Sequence, residues 1–438
     1  MNNIKKALVF AAASGAATFA MATPVVSDVT MTQNSGRKVT ITYTVSEDAV
    51  VTLNVLTNAT PNAATGWASI GGAAICNAQG DVWKKVSQGS KTITWHPDQS
   101  WKDEFGNGFK VADGCAKAVV TAWSLDNTPN YMVVDISATG GADTQKYYPA
   151  ADFVPGGVTN SLYKTTMLLM RKIMARDVTW TMGSVAESGR NVDREATHLV
   201  TLTNNYYIGV YEVTQTQWQQ ITGYNSSYFT VERAMRPVEQ VNYIDIRQGK
   251  GTAEYPADVS GGVYPAAPYS ESFLGLLRTK TRIDFDLPSE AQWEFAARAG
   301  NGEGYWADGS AMQINSNRDE NLDQLGRYRL NGGKIGADSN TDPAANCGVT
   351  NGTAIVGSYA PNAWGLYDVH GNVCEICLDY YADNITALNG AVNTTYNEHK
   401  VIRGGAWVHN ASPCRSAFRS TFKNRFNTTG FRVVCPIN

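Results

Sequence analysis

Short runs of alternating apolar and polar residues fill the first third of the chain. Such alternation is typical of strands that bury one face. Gly, Asn, Asp and Pro separate the runs, which are Lys38–Val45, Val50–Leu56, Lys91–Trp95, Ala118–Trp123 and Tyr131–Ile136. Several strands at this spacing predict a β-sandwich of immunoglobulin-like type over residues 23–137.

A small, polar segment at residues 138–147 is typical of a linker, and the pattern changes after it. Residues 148–438 contain two helix starts of the capping-box type, one at Thr214 and one at Ser289. Gly223 and Gly300 mark the ends of these helices. The rest of this segment is rich in loops. Ions, disulfides or buried aromatic side chains must therefore help to hold it together.

The first 22 residues have the pattern of a signal peptide. Lys5 and Lys6 precede a short apolar run, and Ala20-Met21-Ala22 forms a cleavage site of the A-x-A type. We therefore expect a secreted, periplasmic or cell-surface protein. No later segment is apolar for long enough to be a membrane helix, so no membrane insertion is expected after cleavage.

Charge and motif content exclude several functions. The 36 Lys and Arg residues against 39 Asp and Glu residues give a net charge of −3, which provides no general attraction for nucleic acid. The chain has no H-E-x-x-H, no G-x-S-x-G and no G-x-x-x-x-G-K. These absences argue against a zinc protease, a serine hydrolase and a P-loop nucleotide-binding protein.

The C-terminal part contains a series of distinctive motifs, which are Trp180–Ser184, Glu195–Leu202, Tyr207–Thr214, Arg236–Glu239, Asp286–Ala296, Asn362–Val373, Arg403–Trp407 and Gly430–Arg432. In sequence and in order, these motifs resemble the formylglycine-generating-enzyme (sulfatase-modifying-factor) domain family. The resemblance implies a loop-rich α+β fold related to C-type lectins. Members of the family include copper-dependent oxidases and surface binding proteins, so fold alone does not decide the function.

The resemblance also places the oxidases' two copper-binding cysteines on this chain. Their positions hold His409 and Cys414, while the family's serine is Ala406 and its tryptophan is Cys374. Copper(I) prefers soft thiolate ligands, although imidazole is permitted. His409 and Cys414 are thus the candidate catalytic residues, but these substitutions predict that oxidase activity is lost.

The seven cysteines are expected to form disulfides if the protein is exported, and their odd number leaves at least one unpaired. Cys76 and Cys115 could pair within the predicted sandwich. The resemblance implies that Cys377 lies close to Cys414, and a disulfide between them would remove the thiolate from the site. The alternative, a metal site that uses His409 and Cys414, stays open.

Four residues occupy the family's calcium positions, namely Asp368, Gly371, Val373 and Glu375. Two carboxylates and two backbone carbonyls on one tight loop suit a hard cation. An ordinary turn containing Asp and Glu is the alternative. The resemblance favours calcium.

We therefore expect an exported binding or structural module without oxidase activity. Its recognition face would include Trp407–Ser412 and Ser416–Thr429, where aromatic and amide side chains suit an unknown protein or carbohydrate ligand. The alternative is a copper-dependent formylglycine-generating oxidase that acts on a cysteine of a protein substrate.

Overall fold

The computed structural model describes residues 23–137, 144–231, 233–248, 267–315, 317–331 and 352–437. The predicted signal peptide, residues 138–143 of the predicted linker and Cys347 lie outside these ranges. None of the described helices is long and apolar enough to cross a membrane.

Antiparallel strands form two sheets in the N-terminal part. Alternate residues of β2, such as Ile41, are buried, and they share one core with residues of β3 such as Leu53. The sheets have the orders β1-β2-β7-β5 and β4-β3-β6, and β8 also pairs with β3. The strands are Val26–Gln33 (β1), Val39–Val45 (β2), Ala49–Thr57 (β3), Ala68–Ser69 (β4), Gln79–Gly80 (β5), Lys84–Val86 (β6), Gly89–Trp95 (β7) and Ala116–Trp123 (β8).

A third sheet joins the two parts of the chain and has the order β10-β9-β11-β14-β19. Strand β9 precedes the predicted linker, β10 includes the last three residues of that linker, and the other strands belong to the C-terminal part. The predicted linker therefore ends within a strand, and one sheet contains strands from both sides of it. A separate pair, β12 and β13, is antiparallel. These strands are Tyr131–Asp135 (β9), Gln145–Tyr148 (β10), Met167–Ile173 (β11), Val178–Met182 (β12), His198–Leu202 (β13), Tyr206–Gly209 (β14) and Val434–Pro436 (β19).

A fourth sheet, with the order β17-β16-β15-β18, carries the candidate site. Glu375 on β15 is paired with Arg403 on β16 and with Gly430 on β18. The loop before β15 contains the predicted calcium ligands, and the loop after β16 contains His409 and Cys414. The strands are Cys374–Tyr380 (β15), Lys400–Arg403 (β16), Arg419–Phe422 (β17) and Thr429–Gly430 (β18).

The helices are short, and both predicted capping boxes are confirmed. Thr214 and Ser289 each accept the backbone N–H of the residue three positions later, whose Gln side chain in turn accepts the N-cap's backbone N–H. Gly223 ends its helix in the left-handed conformation, but Ala299 takes this position in the other helix, one residue before Gly300. The helices are Gly72–Ile75 (α1), Pro97–Ser100 (α2), Gln215–Thr222 (α3), Phe273–Thr281 (α4) and Glu290–Arg298 (α5).

The described residues therefore confirm a sheet-rich protein with few helices. Each of the five strand runs predicted from the sequence is found, as β2, β3, β7, β8 and β9. The comparison with immunoglobulin domains and with C-type lectins stays a prediction.

Buried ion pairs hold the loops around the fourth sheet. Arg415, the residue after Cys414, donates to Glu187 and Glu195 at 2.7 Å each. On the neighbouring strands, Arg403 and Arg419 both contact Glu290 at the start of α5. Partnered charges of this kind avoid the penalty of burying an isolated ion, and they fix the Cys414 segment against the rest of the domain.

Candidate functional site

The predicted calcium loop makes a sharp turn before β15. Asp368, Gly371 and Asn372 all have positive φ angles, of 56°, 82° and 61°. A side chain at Gly371 would meet the carbonyl oxygen of Arg327 at 2.1 Å, so this position needs glycine for both space and conformation. The turn brings the Asp368 side chain back towards the start of β15.

Asp368 is fully buried, and only one of its carboxylate oxygens is satisfied. Its Oδ2 accepts the backbone N–H of Gly357 at 2.6 Å, whereas Oδ1 has no hydrogen-bond partner among the described residues. Burial raises the pKa of Asp368 to about 6. An unpartnered carboxylate oxygen in a buried site is costly, which makes Oδ1 suited to receiving a cation.

Both carboxylate oxygens of Glu375 accept hydrogen bonds, in contrast to those of Asp368. Arg432 donates to both of its carboxylate oxygens at 2.6 Å, and the Trp293 indole N–H donates to Oε2 at 2.8 Å. All three side chains are buried. A cation at this loop would have to share Glu375 with Arg432, so Asp368 is the more available of the two carboxylates.

Glu212 is a third carboxylate at this loop, and the sequence analysis did not identify it. It accepts from the Asn372 side chain at 2.6 Å and from the Val373 backbone N–H at 3.2 Å. Burial raises the pKa of Glu212 well above its ordinary value, and the nearby Asp368 and Glu375 raise it further. The sequence feature that could have indicated Glu212 is its position as a charged residue within the apolar run that follows β14.

The side chains at this loop provide few ligands for a metal ion, but they are compatible with the predicted calcium site. In the described ranges, no three His, Cys, Asp or Glu side chains are arranged to hold a metal ion. The predicted calcium set needs only two carboxylates, because the carbonyls of Gly371 and Val373 supply the other ligands. The unpartnered Oδ1 of Asp368 fits that arrangement.

The second half of the site surrounds His409, which is half-buried. The backbone N–H of Ala406 donates to His409 Nδ1 at 3.1 Å, and Cys374 Sγ lies 3.9 Å from the same nitrogen. Burial lowers the pKa of His409 and so favours the neutral imidazole. Because Nδ1 accepts from Ala406, the proton of the neutral ring is assigned to Nε2. The lone pair that a soft metal would use is already engaged by Ala406.

Both thiols at this site are buried and protonated. Burial raises the pKa of Cys414 to about 12, and it raises the pKa of Cys374 strongly, with a further contribution from Cys414. Cys414 Sγ lies 3.5 Å from the carbonyl oxygen of Asn410. One of the two copper-ligand positions holds His409 instead of a cysteine, so these two positions cannot supply the two thiolates of the family's copper oxidases.

The structure contradicts the predicted disulfide between Cys377 and Cys414, because all six described cysteines are free thiols. The prediction placed Cys377 after the strand, but it lies within β15, three residues from Cys374. Neighbouring side chains on a strand point to opposite faces. Cys374 therefore faces the core that contains Ala406, whereas Cys377 faces a different core with Trp293.

Cys76 and Cys115 are also unpaired. Cys76 follows α1 and influences the pKa of Tyr148 and Tyr163, whereas Cys115 precedes β8 and lies beside Ala59. The two thiols are held in different parts of the N-terminal region, so the suggested pairing does not form.

His370 connects the two halves of the site. The backbone N–H of Ala307 donates to its Nε2 at 3.1 Å, so the neutral ring donates from Nδ1 to the carbonyl oxygen of Cys414 at 2.8 Å. Burial lowers the pKa of His370 to about 4. This ring ties the predicted calcium loop to the Cys414 segment.

The two stretches predicted as a recognition face meet at one place. The Trp407 indole N–H donates to the carbonyl oxygen of Asn427 at 3.0 Å, and next to these residues Val408 and Phe426 are 37% and 51% exposed. We call Trp407, Val408 and Phe426 the recognition patch. The first part of the second stretch is core instead, because Phe422 is buried.

The chain belongs to the family described as the sulfatase-modifying factor enzyme 1-like domain. The family model matches residues 170–437, which include both loops of the site and β15–β19. The resemblance noted in the sequence is thereby confirmed.

Individual relatives differ in what their names describe. Chaperone protein LppX of Paenibacillus barcinonensis is 27% identical over 238 residues, which cover 51% of this chain and 76% of that protein. The formylglycine-generating enzyme of Thermomonospora curvata is 31% identical over 161 residues, or 34% of this chain and 48% of the enzyme. The chain thus spans about half of that enzyme's length.

Solved structures with similarity to this chain include Treponema denticola variable protein 1 and PvdO from Pseudomonas aeruginosa. The first has a TM-score of 0.42 at 25% identity and covers 62% of this chain and 96% of its own. The second has a TM-score of 0.43 at 24% identity and covers 61% and 94%. TM-scores at this level support no conclusion about function.

Proposed function

We propose that this chain is an exported binding module that uses the family's fold without its oxidase chemistry. The observation that carries the proposal is the imidazole of His409, which stands at a copper-ligand position of the family's oxidases and accepts the backbone N–H of Ala406. The recognition patch is next to His409 in the chain, and its two exposed apolar side chains, Val408 and Phe426, suit contact with another molecule.

The favoured partner is a protein segment that exposes apolar side chains. Val408 and Phe426 are apolar, and the edge of the Phe229 ring packs against Trp407 at a centroid distance of 5.5 Å. Trp407 is thus held rigidly, which lowers the entropy cost of binding. The relative named chaperone protein LppX also supports a protein partner, since its name describes an action on other proteins.

A permanently unfolded protein tests this proposal. Reduced, carboxymethylated α-lactalbumin with a fluorescent label should bind the full chain in an anisotropy titration. The double variant Val408→Ser, Phe426→Ser should bind roughly tenfold more weakly, as expected for removal of about 1.4 kcal/mol of apolar contact. Phe105→Ser is the control, because Phe105 is 82% exposed in the N-terminal part. Equal binding by the wild type and the double variant would contradict the proposal.

We also propose that calcium binds at the loop of Asp368, Gly371, Val373 and Glu375 and stabilises the domain. The support is the buried, unpartnered Oδ1 of Asp368. A ligand that binds only the folded state raises stability according to its concentration and affinity. Calcium added to metal-free protein should raise the melting temperature of the wild type but much less that of Asp368→Asn. An equal response of both proteins would exclude this site.

The oxidase alternative keeps one specific observation in its favour. Cys374 Sγ lies 3.9 Å from His409, so the site still contains two thiols although the family's first cysteine is missing. An oxidase with an altered ligand set would need Cys374 and Cys414 to lose their protons on binding copper(I). A peptide-oxidation assay separates this alternative from the binding module.

A further inference from the structure

A cavity of about 400 Å³ opens between β12 and the C-terminal end of α5, apart from the recognition patch. This volume is within the range of small-molecule sites, about 300–1,000 Å³. Its wall combines the aromatic rings of Trp180 and Phe295 with the polar side chains of Arg298, Asn301 and Glu303. No part of the function proposed above uses this cavity.

The apolar wall consists of packed aromatic rings. Trp180 and Phe295 pack with their ring centroids 5.4 Å apart, and the ring centroids of Phe295 and Trp364 are 5.2 Å apart. Phe295 belongs to the buried face of α5, while Trp180 is only half-buried. The half-buried indole therefore presents ring surface at the cavity with Phe295 packed against it, which suits stacking against a flat apolar surface.

One carboxylate oxygen is fixed at the edge of this wall. Glu303 Oε2 accepts from the Ser184 hydroxyl at 2.9 Å and from the backbone N–H groups of Val185 and Ala186 at 2.6 and 3.0 Å. Its Oε1 accepts nothing from the described residues. Burial acts to raise the pKa of Glu303, but these hydrogen bonds lower it below its ordinary value, so the group is ionised at neutral pH.

The positive charge of Arg298 in the cavity wall is already balanced by neighbouring carboxylates. Arg298 contacts Glu294 at 2.8 Å and Glu187 at 3.7 Å, and it donates to the carbonyl oxygens of Gly183 and Gly302. Because two carboxylates balance its charge, Arg298 gives this wall little net attraction for an anionic ligand. Asn301 donates to the Ala307 carbonyl oxygen at 3.1 Å and keeps its own amide oxygen free as an acceptor.

We infer that this cavity binds a neutral pyranose saccharide, with its apolar C–H face on Trp180 and its hydroxyl groups donating to Glu303 and Asn301. A ring with equatorial hydroxyls presents both features: an apolar face and a rim of donors. The available protein groups are an aromatic plane and two hydrogen-bond acceptors, which match that combination. The saccharide site and the recognition patch involve different residues, so either proposal can fail without the other.

Cellotriose is a suitable probe because its ring hydroxyls, apart from the reducing-end anomeric hydroxyl, are all equatorial. Isothermal titration calorimetry with the full chain measures its binding. Trp180→Ala should weaken binding at least tenfold, and Glu303→Gln several-fold. Trp67→Ala is the matched control, because Trp67 is a partly exposed tryptophan whose indole N–H donates to Ala63 in the N-terminal part. This control and the patch variant Val408→Ser, Phe426→Ser should bind cellotriose like the wild type.

A second variant protects the test against misfolding of Trp180→Ala. Gly302 is exposed, and a side chain there would meet no atom within 4 Å, so Gly302→Leu should fold normally and obstruct the cavity. It should reduce cellotriose binding as strongly as Trp180→Ala does. Absence of wild-type binding at millimolar cellotriose would overturn the inference, and so would unchanged binding by both cavity variants. Binding of choline instead of cellotriose would assign the cavity to a cation.

Discussion

Glu375 and Arg432 form the buried ion pair at the centre of the predicted calcium loop, with both side chains at most 1% exposed. Glu212 and Asp368 lie close enough to Arg432 to raise the pKa of its guanidinium as Glu375 does, so Arg432 balances more than one carboxylate. Removing one partner from a buried pair leaves an uncompensated charge, which costs more than the pair contributes.

Arg432→Met should therefore lower the free energy of unfolding by about 3–5 kcal/mol. Urea denaturation followed by tryptophan fluorescence measures this change. Lys423→Ala is the control, since Lys423 and Glu398 form an exposed ion pair and the change should cost less than about 1 kcal/mol. Similar losses for both variants would show that burial of the pair has little influence.

Glu239 provides a pH-dependent prediction. Burial raises its pKa to about 7, although hydrogen bonds from the Phe229 and Tyr228 backbone and the nearby Arg236 and Arg233 oppose this shift. Since the folded pKa is above the unfolded one, the native state binds the proton more tightly. The stabilisation is complete below pH 4.5 and is lost as the pH rises through 7.

Glu239→Gln removes this titration and keeps an acceptor for Phe229. Relative to the wild type, the variant should gain on the order of 2 kcal/mol between pH 5 and pH 8. Urea unfolding of both proteins at the two pH values gives this difference. A stability difference that is the same at both values would mean that Glu239 does not titrate in this range.

Strand β15 illustrates what could be predicted for single elements and what could not. The alternating runs of the N-terminal part and the two capping boxes were predicted correctly, because each depends on residues close together in the sequence. The pairing of Cys377 with Cys414 was wrong. Whether Cys377 can reach Cys414 depends on which face of the strand Cys377 occupies. The sequence did not show that the strand begins at Cys374 and includes Cys377. Glu212 was missed for a similar reason, since its partners are 160 residues away.

The cysteine pattern of β15 can be tested by alkylation. Denatured but unreduced protein, treated with iodoacetamide and digested, should contain Cys377 and Cys414 as separate alkylated peptides. Adding a thiol oxidant before denaturation should favour a Cys374–Cys414 link over a Cys377–Cys414 link, because Cys374 faces the Cys414 side. A Cys377–Cys414 peptide as the main product would contradict the strand register.

For the whole molecule, the motifs from Trp180 to Arg432 were sufficient to predict the family, since their order along the chain was preserved. They could not predict that β9, which precedes the predicted linker, and β10, which includes its last three residues, continue the family domain's sheet. Strand pairing over such distances depends on tertiary contacts that no short motif records. The N-terminal part is consequently attached by more than a flexible segment, and it can influence the stability of the family domain.

The central claim is that this fold binds other molecules but does not oxidise cysteine. A sulfatase-type peptide incubated with the protein, copper(I) and oxygen, and analysed by mass spectrometry, tests it directly. The wild type should leave the peptide cysteine unchanged, because His409 replaces a thiolate and its Nδ1 already accepts from Ala406. His409→Cys in the same assay shows whether that single position is responsible. Conversion to formylglycine by the wild type, lost in Cys414→Ser, would contradict the account and establish the oxidase alternative.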